Sequence, residues 1–390
     1  MAAPLAALLA LLAAPPGTTS QLIQEWVQAG VDLDGDPSLN PFGSTEVYFG
    51  TACAISGDGL TVAVAGGAVG VTPGHVRVFR REGTHYAQVS GNFAVSAPAT
   101  SLSLSADGTW LATGSPSDNS VKVFRFTVGE VWIQYRHETL RGLNNQFGTS
   151  ISVQANATTL TLAVGIPNIN GGSGEVRIYR AELSTNNFPF QQFGQAIAGL
   201  SDSTGISVSL SLSGKTVAVG APAGAGGVGR AKVYRYCDFC AHRWPQLGAF
   251  MVEDANNDYF GGAVSLSDDG LTIAVGAPVN ALGGYTGYVR VFGYFGTRFS
   301  SSQWTAIGDD IVGENSGDRF SSSLSLSGSG TTLAIGSPKF ANNAGYTRTF
   351  HLVDGGWAPL GVPIIGEGAA DQSTSGAALG IAGDGLTRTW

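Results

Sequence analysis

The sequence predicts an all-β fold, a seven-bladed β-propeller of four-stranded antiparallel blades. Three observations lead there. One phrase recurs along the chain: Ser-Leu-Ser, then Asp-Gly or a near equivalent, then Thr-aliphatic-Ala-aliphatic-Gly-small-Pro, fullest at residues 265–278. Its closing Gly, or a stand-in, falls at Ala65, Gly114, Gly165, Gly220, Gly276 and Gly336, a period of roughly 50 residues that marks a propeller. The composition agrees: 57 glycines and only 12% charged residues suit many short strands joined by tight turns.

The repeat from Phe260 to Gly313 shows the elements in order. Val264 to Ser267 alternates with period two and is the first, innermost strand. Asp268-Asp269-Gly270 is a hairpin turn, where Gly accepts a positive φ. Thr272 to Val275 is a continuous apolar run, as a strand packed on both faces requires, and Pro278 stops it. Tyr288 to Phe292 is the third strand, and Trp304 opens the fourth. Inner positions carry a small Ala at Ala63, Ala112, Ala163, Ala218, Ala274 and Ala334, because strands crowd near the axis. The fourth strands open on Trp26, Tyr86, Trp132, Phe190, Trp244, Trp304 and Trp357, read as pegs between blades.

The repeats fall near 47–95, 100–142, 147–199, 204–253, 260–313, 320–366 and 376–390, with 26–35 supplying a fourth strand. The expectation is a last blade shared between the two ends, Trp26 to Ala29 beside Leu379 to Ile381, because pairing the ends removes exposed edges. That blade is expected to be incomplete: Thr387-Arg388-Thr389-Trp390 lacks the usual apolar pattern, and truncation is expected there. Residues 22–390 thus form one propeller domain. Residues 1–20 read as a signal peptide, with the Leu/Ala run Leu5 to Ala14 as its apolar region and Thr18-Thr19-Ser20 preceding cleavage. That run is too short to span a bilayer, and no other segment reads as transmembrane. A secreted or cell-surface location is therefore expected. Net charge −8 with no basic stripe excludes nucleic acid as a partner.

Phe49-Gly50, Phe147-Gly148 and Phe260-Gly261 before the first strand, with Gly220-Ala221-Pro222 and Gly276-Ala277-Pro278 after the second, resemble FG-GAP repeats of the integrin α-subunit head. The resemblance implies adhesion, or recognition of an extracellular protein or glycan. Calcium-binding members of that family carry a D-x-D-x-D-G loop between the first two strands. The short turns Ser56-Gly57-Asp58-Gly59 and Ala106-Asp107-Gly108 lack it, so those metal sites do not transfer.

Candidate sites are few. Acidic residues cluster before the first strands: Asp32, Asp34 and Asp36; Glu253, Asp254 and Asp258; Asp309, Asp310, Glu314 and Asp318; Glu367 and Asp371. They are read as a solvated rim on one face. Asp32, Asp34 and Asp36 are the candidate Ca²⁺ ligands, although Pro37 stands where such a loop needs Gly. Arg77, Lys122, Arg177, Lys232, Arg290 and Arg348 share one position, read as apolar stems lying on the neighbouring blade with wet heads. The alternative for these six is a ring that reads anions. Asn156-Ala157-Thr158 is the N-glycosylation sequon, at a hairpin tip. Cys237 and Cys240 read as a local disulfide, and Cys53 as a buried small apolar residue. No G-x-S-x-G, H-E-x-x-H or P-loop is present. The expectation is a non-enzymatic propeller that binds a macromolecule through loops on one face, with no cofactor beyond Ca²⁺ at Asp32, Asp34 and Asp36. A lectin-type propeller and a glycan-acting enzyme are the alternatives.

Overall fold

The computed structural model describes residues 11–12, 27–28, 48–67, 74–89, 93–95, 99–129, 131–143, 145–183, 189–223, 228–240, 243–252, 258–279, 286–295, 303–366, 378–385 and 387–389. Six blades follow one another around an axis, each an antiparallel sheet whose four strands pair in chain order. In blade 1 these are Tyr48–Ile55, Thr61–Gly67, Gly74–Glu82 and His85–Gln88. Blade 2 has Ser101–Leu104, Trp110–Ser115, Ser120–Phe126 and Trp132–Arg141. Blade 3 has Ser150–Ala155, Thr159–Ile166, Glu175–Glu182 and Gln191–Gln192. Blade 4 has Ser207–Leu210, Thr216–Ala221, Arg230–Arg235 and Met251–Val252. Blade 5 has Ala263–Leu266, Thr272–Ala277, Tyr288–Phe295 and Gln303–Ala306. Blade 6 has Ser323–Leu326, Thr332–Ser337, Tyr346–Val353 and Gly356–Pro359.

The expected count of seven blades is corrected to six. The last repeat contributes two strands among the described residues, Gly380–Ile381 and Arg388–Thr389, in the register of a first and second strand. The shared blade is corrected with it. Val27–Gln28 pairs with Leu11–Leu12, and not with Gly380–Ile381. Trp26, Ala29 and Leu5 to Ala10 lie outside the described residues.

The recurring phrase has a physical reason at each position. The first serine of Ser-Leu-Ser ties one inner strand to the next. The hydroxyl oxygens of Ser103, Ser152, Ser209, Ser265 and Ser325 accept from the backbone N–H of Val153, Leu210, Leu266, Leu326 and Ile381 at 2.9–3.1 Å. The last of these seats the two-stranded sheet beside blade 6. Gly383 N–H then donates to the Gly57 carbonyl at 2.8 Å, so the same sheet also meets blade 1 and joins the two ends of the ring. The second serine builds the hairpin. Ser267 donates to Asp269 at 2.6 Å and accepts from Thr272 N–H, while Asp269 also accepts from Leu271 N–H. The turn carboxylates are thus occupied by their own backbone.

The closing Gly answers to the next repeat. A Cβ on Gly165 or Gly220 would lie 2.0 Å from the carbonyl oxygen of Gly205 or Gly261, which ends the next blade's entry corner. Inner-strand alanines 63, 112, 163, 218, 274 and 334 are fully buried, as expected. The pegs are between blades: the indole N–H of Trp244, Trp304 and Trp357 donates to the carbonyl of Phe193, Leu247 and Ile307 in the preceding blade, at 2.7–2.9 Å. Trp304 is half-buried. Cys53 is half-buried also, which corrects its reading as a core residue.

Candidate functional site

The polar chemistry gathers where each chain segment enters a blade. There the segment turns through a tight corner against the start of that blade's third strand. Four corners align by their buried residue: Asn145, Asp202, Asp258 and Asp318, entering blades 3, 4, 5 and 6. The following residue is left-handed in each case, with φ of 61° at Gln146, 53° at Ser203, 66° at Tyr259 and 54° at Arg319. This strained step aims the preceding side chain inward beneath the loop.

Three of these corners are closed. Asp202 is 0% exposed; it accepts from Lys232 Nζ at 2.8 Å, from the Thr204 hydroxyl at 2.5 Å and from Leu200 N–H at 3.2 Å. Burial pushes its carboxyl up, but these three donors outweigh burial and hold it below the ordinary carboxylate value. Asp258 accepts from the Tyr288 hydroxyl at 2.5 Å and from Phe260 N–H at 3.0 Å. Burial, then this hydrogen bond, raises the Tyr288 pKa well above its usual value. Asp318 accepts from Asn315 Nδ2 at 3.1 Å, and its carbonyl takes the Ser337 hydroxyl.

The fourth corner is different. Asn145 stands where the others carry Asp. It is 7% exposed, and its side-chain oxygen has no hydrogen-bond partner among the described residues. At the position of Lys232, blade 3 carries Arg177, which turns to Glu175 on its own strand with an N–O distance of 2.5 Å. Burial lowers the Arg177 pKa, while Glu175 and Tyr179 raise it by more. The acid has in effect moved from the corner to the strand, and the space it would have closed is a cleft of about 430 Å³ between blades 2 and 3. Arg141 and Gly142 form one wall, with Leu143 at 90% exposure on its lip; Asn168 and Asn170 form the other, and Asn145 and Arg177 also line it. Arg141 is braced by Asp118 at 3.2 Å. Gly142 has no room for a side chain, since a Cβ would meet that of Phe147 at 2.4 Å.

Two guanidiniums, each paired with one carboxylate, and three carboxamides make this cleft close to neutral and dense in fixed donors and acceptors. Such groups match vicinal hydroxyls and polarised carbonyls. Among the described residues no aromatic side chain lines it.

The residues singled out in the sequence are distributed as follows. At four of the six common basic positions the charged head is paired with a carboxylate rather than left wet. Arg290 makes two hydrogen bonds to Asp310, at 2.6 and 2.7 Å, Arg348 pairs with Glu314, and Lys232 and Arg177 pair as above. Their side chains are only 7–30% exposed. Of the acidic residues read as a solvated rim, Asp258 and Asp318 are instead buried, whereas Asp309, Asp310 and Glu314 are exposed, the last two as counter-ions of Arg290 and Arg348. Glu253, Asp254, Glu367 and Asp371 lie outside the described residues, as do Asp32, Asp34 and Asp36. Among the described residues no cluster of three or more metal-ligating side chains occurs. Cys237 and Cys240 are joined, with Cα atoms 5.4 Å apart. Asn156 is exposed at its hairpin tip; its side-chain oxygen accepts from Thr158 N–H, Thr159 N–H and the Thr158 hydroxyl. No described helix is long and apolar enough to cross a membrane.

No model of a known protein family matches the sequence, and no curated protein matches it. Solved structures do. A putative 6-phosphogluconolactonase from Bacteroides uniformis superposes with a TM-score of 0.61 at 11% identity, covering 93% of this chain and 97% of that one. The periplasmic gluconolactonase of Pseudomonas aeruginosa gives 0.57 at 16%, covering 92% and 96%. A protein from Lactobacillus plantarum gives 0.56 at 13%, covering 93% and 98%. At such identities the likeness is one of fold. It nevertheless corrects the expectation of a non-enzymatic chain. Two of these structures are named as lactonases, one of them a putative one, so neither the architecture nor the lack of a catalytic motif excludes an enzyme.

Proposed function

We propose that this chain is a sugar-related propeller that holds a small polyhydroxylated ligand, a sugar or a sugar lactone, in the cleft between blades 2 and 3. The observation that carries the reading is the cleft itself: Arg141, Arg177, Asn168 and Asn170 line about 430 Å³ with polar donors and acceptors. The names of the two lactonases support the ligand class. If the ligand is a lactone, water adds to its acyl carbon, the ring C–O bond breaks, the ring oxygen takes a proton, and a carboxylate and one proton are released. Arg141 and Arg177 are placed to stabilise the oxyanion of such a step.

The test is titration of the protein with glucose, gluconate and glucono-1,5-lactone by protein-observed NMR, with a pH-stat run alongside for the lactone. Saturable shifts confined to the loops of residues 141–147 and 168–172, weakened in Arg141→Ala, are the expected result. No saturable shift up to tens of millimolar for any of the three would end this reading.

The chain is also read as secreted or exposed at the cell surface, presenting its loops to an extracellular partner as FG-GAP-like repeats do. The Cys237–Cys240 bond favours an oxidising compartment, and the exposed Asn156 sequon is open to a glycan. Expression in a eukaryotic secretory host tests this: the chain should leave the cell and lose mass on glycan removal, and Asn156→Gln should show no such loss.

A further inference from the structure

We infer that the ligand of this cleft is an anionic sugar, a sugar acid or a sugar phosphate, and that Arg141 is the residue that selects it over neutral sugars. This rests on the cleft reading above and narrows it to a substrate class: it states which group of the ligand is recognised, and by which edge of which side chain.

The cleft is neutral only as a sum. Its lining holds both guanidiniums, Arg141 and Arg177, and neither of their carboxylate partners, Asp118 and Glu175. A ligand therefore meets the cations first. The two arginines differ in what they have left to give. A guanidinium edge with two parallel N–H groups matches the paired oxygens of a carboxylate or phosphate. Arg290 uses its Nε–Nη2 edge in this way and holds both oxygens of Asp310, at 2.6 and 2.7 Å. Arg177 spends the same edge on Glu175, with Nε and Nη2 both reaching Oε1 at 2.5 Å. Arg141 does not. Only its Nη1 is engaged, by the Asp118 carbonyl at 3.3 Å and the Asp118 carboxylate at 3.2 Å. The other oxygen of that carboxylate accepts from the Ser120 hydroxyl at 3.0 Å. Nε and Nη2 of Arg141 have no partner among the described residues, and the side chain is 58% exposed. An exposed pair joined through one nitrogen contributes little, so Asp118 orients Arg141 without cancelling its charge. A neutral hydroxyl would use one of the two open donors and leave the charge unanswered; an oxyanion uses both. The carboxamides of Asn168 and Asn170, on the opposite wall, remain for the hydroxyls of the same ligand.

Titration of the whole protein with glucose, gluconate and glucose 6-phosphate, each at low and at high salt, tests this. The better of the two anions should bind at least tenfold more tightly than glucose and lose that advantage at high salt, and which anion it is tells a carboxylate from a phosphate. Arg141→Gln keeps an amide donor and removes the charge, so the ratio of anion to glucose affinity should fall at least tenfold. Arg141→Lys keeps the charge without the two-pronged edge and should recover only part of that ratio. Both variants should melt with the wild type, because the side chain they replace is exposed. Glucose binding within threefold of both anions overturns the inference and leaves the cleft reading intact. An unchanged ratio in Arg141→Gln does the same, since the charge would then be recognised elsewhere. A wild-type ratio in Arg141→Lys overturns the two-pronged contact. A wild type that binds none of the three overturns the cleft reading itself, and this inference with it.

Discussion

Replacing Lys232 by Met should destabilise the protein strongly, and the loss should shrink in acid. The Asp202 carboxylate is 0% exposed and the Lys232 side chain 7%. At 2.8 Å the direct attraction is about 6 kcal/mol for an effective dielectric of about 20, most of it offset by the cost of burying both ions. Removing one partner is not the reverse of that small net term. It leaves a charge in the interior with only the Thr204 hydroxyl and Leu200 N–H, which costs about 3–5 kcal/mol. Unfolding entropy of about 2.1 cal/mol/K per residue over 390 residues makes this a fall of roughly 4–6 °C in Tm. In the wild type the Asp202 pKa is depressed, so its contribution is present above the unfolded carboxylate pKa of about 3.9 and is lost as pH falls through the folded value. In the variant, burial without the ammonium raises that pKa, and the sign reverses. The variant regains stability as falling pH protonates the group. Calorimetry at pH 7 and pH 4.5 should therefore show a wide Tm gap at the first and a narrow one at the second. Asp202→Asn combined with Lys232→Met should recover most of the loss. A gap that is the same at both pH values, or a double variant no better than the single, would refute the reasoning.

Three further outcomes are expected. Gly220→Ala places a methyl 2.0 Å from the Gly261 carbonyl and should leave little soluble folded protein, whereas Gly355→Ala, with nothing nearby, should cost about 1 kcal/mol through its φ of +83° alone; far-UV circular dichroism and melts distinguish them. Trp304→Phe keeps much of the packing and loses the indole bond to the Leu247 carbonyl, so equilibrium urea unfolding should show about 0.5–1.5 kcal/mol of destabilisation. Reduction of Cys237–Cys240 opens a ring with a sequence separation of only 3, for which chain entropy gives about 2 kcal/mol, so dithiothreitol should lower Tm by only a few degrees without unfolding the ring.

The fold was legible because its cause is periodic. Strand alternation, the buried Ala at the inner position and the Gly facing the next repeat's carbonyl are local constraints repeated with each blade. What escaped the sequence was pairing across distance. Asp310 and Arg290 are 20 residues apart, Asp202 and Lys232 30, and Glu314 and Arg348 34. Read singly, they gave an acidic rim and basic side chains with wet heads; in space these pairs neutralise one another. The role of Ser103 and its equivalents was hidden for the same reason, since the partner N–H belongs to the next blade, 50 residues on at Val153. The blade count failed at the ends, where the register of Gly380–Ile381 with Arg388–Thr389 was foreseen but the pairing of Val27–Gln28 with Leu11–Leu12 was not. A signal for the cleft did exist. Two residues ahead of the Phe or its stand-in, the corners read Asn145, Asp202, Asp258 and Asp318, and one member breaks the acidic column.

That a single corner residue should carry the difference follows from how the blades pack. Most of the apolar clusters join neighbouring blades. Trp110, Val121 and Val123 of blade 2 pack with Ile151, Leu160 and Val164 of blade 3, around Phe147 from the corner itself. Phe260 and Phe320 occupy the matching place at later corners, all three fully buried. The lower part of each interface is thus fixed by volume, where any change leaves a cavity or a clash. The upper part is fixed by one hydrogen-bonded pair, which can be exchanged without moving the core. At the blade 3 corner Asn stands at 145 and the acid at Glu175, and the cleft is found at this interface together with the intact apolar cluster around Phe147. The polar pair at the corner is therefore what differs from one blade interface to the next, and the apolar cluster is what they share.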